Sequence, residues 1–125
     1  AEGEELYEEI QMVYDKYYYT YYNSNERPVR KSNDEFGKPS EIYKGFRFES
    51  LEQYGFRDVT MMLYEAYRTY SAGEYITLLD TYSDHRGLPD SNRAAVYKGI
   101  KEAIIRHGGY HKVDYIFQLY MGRKL

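Results

Sequence analysis

Cysteine and tryptophan are absent from this 125-residue chain, and proline occurs only three times. Without cysteine there are no disulfides, thiolate nucleophiles or cysteine metal sites, an absence that fits a reducing compartment. No window approaches the roughly twenty apolar residues that a membrane-spanning helix needs. Missing too are the glycine patterns that cradle phosphates or dinucleotides, the nucleophile elbow, the calcium loop and the paired-histidine zinc motif. Neither sign of charge is in excess: 17 Lys and Arg stand against 20 Asp and Glu, a formal net charge of −3, with no long run of either. That balance supplies neither the electrostatic footprint of a nucleic-acid binder nor that of a polyanionic mimic.

What the chain has is tyrosine, 18 residues of it against five phenylalanines. A core filled with such rings must find partners for their hydroxyls. They crowd into the stretch Glu4–Tyr22, where Leu6, Ile10, Val13, Tyr14, Tyr17 and Tyr21 recur at helical spacing and predict an amphipathic helix. On its other side Glu5, Glu8, Glu9, Asp15 and Lys16 face water in the first half, but Tyr18, Tyr19, Thr20 and Tyr22 do so in the second. The end of this helix is therefore aromatic nearly all round and needs a cover. The acidic start at Ala1 is compatible with a mature end left by a signal or transit peptidase, which would suggest secretion or an organelle lumen, and equally with trimming.

Residues 24–48 read as one long irregular connection, rich in turn formers, with Ile42, Tyr43, Phe46 and Phe48 available to pin its second half. Beyond it, Ser50 opens a capping-box pattern with Gln53. Leu51, Tyr54, Val59, Met62, Leu63, Ala66 and Tyr70 then continue at helical spacing to about Ser71, with Gly55 a weak point and Ala72-Gly73 as the stop. A short helix from Glu74 to about Ser83 turns Tyr75, Ile76, Leu79 and Tyr82 inward. The next, capped by Asp90 or Ser91, carries the clearest apolar stripe: Val96, Gly99, Ile100, Ala103, Ile104 and His107. Gly108-Gly109 ends it. A last helix is expected from Tyr110 or His111 to about Met121, with Val113, Ile116, Phe117 and Tyr120 inward. The fold predicted from these segments is all-α and a single domain: a bundle of four main helices plus a short fifth, with one long crossover after the first.

Candidate chemistry is sparse, and no catalytic residue, metal site or cofactor is assigned. His107 and His111 are four apart but separated by two glycines, so they need not share a helix face. Asp80, Asp84, His85, Arg86 and Asp90 place carboxylates near an imidazole and a guanidinium, the raw material of acid–base work, in what reads as a capped, solvated turn. Tyr14, Tyr17, Tyr21, Tyr54, Tyr67, Tyr70, Tyr75 and Tyr82 lie at or beside core spacing. Tyr18, Tyr19, Tyr22 and Tyr64 fall off the stripes, and with the neighbouring cations Arg27, Arg30 and Lys31 they form the candidate partner-binding set. Glu26, Asp34 and Glu35 interrupt the cations, which argues against single-stranded nucleic acid. The function expected is that of a non-enzymatic interaction protein docking on a protein partner or larger assembly. The alternative is a small-ligand binder or small enzyme with a tyrosine-lined cavity between helices.

Overall fold

A computed structural model describes residues 2–24 and 49–124. Within them the order is α1 (Glu2–Tyr14), a π-helical stretch (Asp15–Tyr19), α2 (Thr20–Tyr22), α3 (Glu49–Gln53), β1 (Phe56–Ser71), α4 (Ala72–Leu79), α5 (Ser83–Arg86), α6 (Asp90–Arg106) and β2 (Tyr110–Lys124). β1 and β2 pair as a two-stranded antiparallel sheet, so the fold is α+β and the all-α bundle is overturned. The long connection and its anchors Ile42, Tyr43, Phe46 and Phe48 lie outside the described residues. The chain falls into two compact units, one of Ala1–Pro28 with Arg68–Val113 and one of Val29–Tyr67 with Asp114–Leu125.

The first unit is built on the two stripes that the sequence displays most clearly. α1 packs along α6, and α4 packs against α6 from another side. Leu6 and Ile10 of α1 meet Val96, Ile100, Ala103 and Ile104 of α6 in one buried cluster, joined by Ala72, Leu79 and Leu88. Its largest fully buried side chains are Ile100, Ile104 and Val96. The core is thus aliphatic, and Tyr14, Tyr17, Tyr18, Tyr75 and Tyr97 pack around it half-buried. Among the described tyrosines only Tyr70 is buried. A ring with a hydroxyl fits the margin of an apolar core, where its body is covered and its oxygen reaches a polar partner.

From Glu2 to Tyr22 the chain is helical without interruption, as its spacing predicts, but Asp15–Tyr19 winds as a π-helix. The wider turn changes the phase of the residues after it. Tyr21, on the expected stripe, is exposed, whereas Tyr18, off it, is half-buried against the core. Asn92 of α6 donates from Nδ2 to the Tyr17 carbonyl at 2.9 Å, tying the π-helical stretch to the start of α6. Asn23, left-handed at φ 52°, ends the helix.

The remaining departures from the expected bundle share one cause. The predicted helix from Ser50 to Ser71 is a single short turn, α3, closed by Gly55 at φ 87°, followed by a strand of 16 residues. Ser71 is not its terminus but the N-cap of α4, its hydroxyl accepting from the Glu74 backbone while Glu74 accepts from the Ser71 backbone. The predicted last helix is likewise a strand, β2, entered through Gly108 and Gly109 at φ 100° and 87°. Both segments are dense in β-branched and aromatic residues (Val59, Thr60, Tyr64 and Tyr67; Val113, Tyr115, Ile116 and Phe117), which favour the pleated backbone. From Val59 to Tyr64 half-buried and exposed residues alternate strictly, the period of a strand. Tyr54 and Tyr67, placed at core spacing by the helical reading, are exposed.

In the second unit, Met62 and Tyr64 share a sheet face, the Tyr64 hydroxyl lying 3.4 Å from the Met62 sulfur. Tyr115 and Phe117 share another, their rings stacked at 5.8 Å. Gly122 sits tight against the opposite strand, since a Cβ there would lie 3.1 Å from that of Phe56.

Candidate functional site

In the first unit, consecutive turns at the end of the N-terminal helix deliver hydroxyls onto α5. Tyr14 Oη lies 2.7 Å from His85 Nε2. Tyr18 donates to Asp84 Oδ2 at 2.7 Å, and Tyr22 donates to the Asp84 backbone carbonyl. His85 is 4% exposed. Its Nδ1 is 3.1 Å from Asp84 Oδ1, which also accepts from the His85 backbone at 3.0 Å. An ionised carboxylate only accepts, so Nδ1 carries a proton toward Asp84. With the imidazole neutral, Nε2 is then an acceptor and the Tyr14 hydroxyl donates to it. Four rings surround the imidazole, those of Tyr14, Tyr18, Tyr82 and Tyr97, at centroid distances from 5.6 to 6.2 Å.

The electrostatics arise from these contacts. Burial works to raise the Asp84 carboxyl, but the Tyr18 hydroxyl, the charge of His85 and the two His85 hydrogen bonds outweigh it and hold Asp84 below the ordinary carboxylate range. Burial, then the bond to Asp84, pushes the Tyr18 phenol well above its usual range, and burial does the same to Tyr14. These phenols are therefore donors. Beside them Tyr97 donates to Asp80 at 3.0 Å, and Arg86 holds the same carboxylate from one guanidinium nitrogen at 3.1 and 3.2 Å. Those two partners lower Asp80, while burial and the bond to Asp80 push Tyr97 up to about 12.

A second histidine ties α1 down elsewhere. Glu9 accepts from Arg106 Nη2 at 2.7 Å and His107 Nε2 at 2.9 Å, and these two bonds lower its carboxyl against ordinary burial. A carboxyl lowered by folding adds stability that is complete above the unfolded value, 4.5, and is lost as pH falls through the lowered folded value. Glu9→Gln should therefore flatten the acid limb of a plot of denaturation midpoint against pH, between about neutral and pH about 3. An acid limb identical to wild type would mean the contact contributes nothing.

Placed on this structure, the candidate residues separate. Tyr18, Tyr19 and Tyr22 belong to the first unit and Tyr64 to the second, while Arg27, Arg30 and Lys31 lie outside the described residues. Tyr18 and Tyr22 are engaged by Asp84, and Tyr19 packs edge-on against Tyr18 at 5.0 Å. Asp84 and His85 were visible as a pair, but the expected solvated turn is in fact a short helix with a buried imidazole. His107 and His111 part company, the first on Glu9 and the second edge-on to Tyr75 at 4.7 Å. Tyr14 and Tyr97 were missed as polar partners; they stand 71 and 17 residues along the chain from the groups they meet.

The chain matches no protein-family model, no curated protein and no solved structure.

Among the described residues no helix is long and apolar enough to cross a membrane.

Proposed function

We propose that this chain is a non-enzymatic interaction protein that docks on a protein partner through the tyrosine-bearing sheet of its second unit. The observation that supports it is the apolar surface of that sheet: Met62, Tyr64 and Tyr67 on β1 and Phe117, Leu119 and Met121 on β2 are all exposed, Tyr67 at 68% and Phe117 at 55%. Single exposed apolar residues are ordinary, but a contiguous set of them marks an interaction surface. A two-stranded ribbon is also marginal by itself, and among the described residues neither strand has a second strand beside it. The segments Val59–Tyr64 and Tyr115–Met121 contain no charge and no proline, which are the residues that shield an edge from further pairing. A partner offering an extended, uncharged apolar segment fits such an edge, its backbone adding to the ladder and its side chains covering the rings.

The test is affinity capture on the purified chain, comparing wild type with Tyr64→Lys/Leu119→Lys and with Tyr19→Ala/Tyr22→Ala. Wild type and the helix variant should retain one defined protein that the sheet variant loses by tenfold or more. Loss in the helix variant alone would move the docking surface to the end of the first helix. If wild type retains no protein, the reading fails.

A further inference from the structure

The hydroxyls on α5 carry an inference independent of the docking surface. Asp84 and His85 present two acceptors, a carboxylate and Nε2, and each is met by a phenol. Tyr22 adds a third on the neighbouring carbonyl. The same two residues are walled by ring faces, with Tyr97 stacked on the imidazole and Tyr82 tilted beside it. Acceptors inside a wall of flat apolar faces select for a flat ring bearing an acidic hydroxyl, and the chain satisfies that demand with its own tyrosines.

The seats differ in how firmly they are held. Tyr14 packs against the aliphatic core. Tyr22 and the Asp84 side chain are open to solvent, the latter at 49%, and Tyr18 bridges the two with its ring 4.9 Å from that of Tyr22. A solvent-borne molecule can therefore reach the Asp84 carboxylate by displacing two side chains of one helical end, without opening the core.

We propose that Asp84 and His85 form a binding site for a small hydroxyaryl ligand, whose hydroxyl donates to the Asp84 carboxylate in the seat of Tyr18. Its ring replaces the Tyr18 ring beside His85, and Tyr18 and Tyr22 turn outward. His85 holds the carboxylate in place through Nδ1 and keeps it ionised to accept the bond. The class recognised is a phenol rather than an aliphatic alcohol, because the wall rewards a flat ring and the carboxylate rewards an acidic proton.

The probe is 4-nitrophenol, whose absorption reports its protonation and hydrogen bonding, titrated into the full chain while the ring signals of His85 are followed by NMR. Wild type should show saturable binding with movement of the His85 signals. Asp84→Asn, at a half-exposed position where folding is preserved, should weaken binding at least tenfold, since a hydrogen bond to a charged group is exchanged for a neutral one. Tyr18→Ala should tighten it several-fold by emptying the seat, and cyclohexanol should not compete. No saturable binding to wild type overturns the proposal. So does binding that Asp84→Asn leaves unchanged, or that leaves the His85 signals still.

Discussion

Ile100→Ala is expected to destabilise the protein by about 2–5 kcal/mol, the range for removing most of a large aliphatic side chain from a packed core. Ile100 is 0% exposed and stands where α6 meets Leu6 and Ile10 of α1. The methyl groups it loses have been taken fully out of water, and the surrounding helices can collapse only partly into the gap. Against a typical domain stability of about 5–15 kcal/mol, the change removes a third or more. The comparison that isolates the cause is Ile105→Ala, five positions along the same helix and 57% exposed, which should fall within about 0.5 kcal/mol of wild type. Urea unfolding followed by far-ultraviolet circular dichroism measures both. Equal losses at the two positions would mean that α6 is not buried on the face described.

Gly99→Val should cost about 2–3 kcal/mol through the opposite fault, too much volume. Here α1 and α6 approach so closely that a Cβ on Gly99 would lie 2.9 Å from both γ carbons of Val13. Val13 is β-branched and in a helix has essentially one rotamer, so it cannot swing aside and the helices must part. The gain in helix propensity on replacing glycine, under about 1 kcal/mol, does not offset this. Gly73→Ala, where a Cβ would meet nothing within 4 Å, is the control and should be neutral or slightly stabilising. Adding Val13→Ala to Gly99→Val should recover part of the loss in a double-mutant cycle. Strict additivity of the two changes would rule out the contact.

These two residues also show what was legible in the sequence. The stripes of α1 and α6 stand out because their apolar residues are set among charged ones, Glu5, Glu8 and Glu9 on one, Lys98, Lys101 and Glu102 on the other. A 3.6-residue period is then the only one that fits. In β1 that contrast vanishes. Val59-Thr60-Met61-Met62-Leu63-Tyr64 offers an apolar residue at nearly every position, so a helical template and an alternating one both find matches. The tie was broken in the structure by β-branched and aromatic content and by Gly55, and the same holds for β2 after Gly108-Gly109. At the candidate site, Asp84 and His85 could be picked out as chemistry-bearing neighbours. No local pattern reveals that Tyr14 and Tyr18, more than sixty residues upstream, would meet them. That pairing depends on how α1 is laid over α6 and on the phase of its last turns.

The phase has a genetic side. The π-helical stretch Asp15–Tyr19 holds one residue more than an α-helix would need to span the same rise. Deleting a single codon there would leave every tyrosine outside it in the gene, yet it would rotate Tyr22 and the residues after it by about 100° about the helix axis. The hydroxyl now on Asp84 would face elsewhere. For this part of the protein, residue number along the helix is inherited information as much as residue type, and a lineage that gained or lost one position would carry nearly the same composition with a different set of contacts.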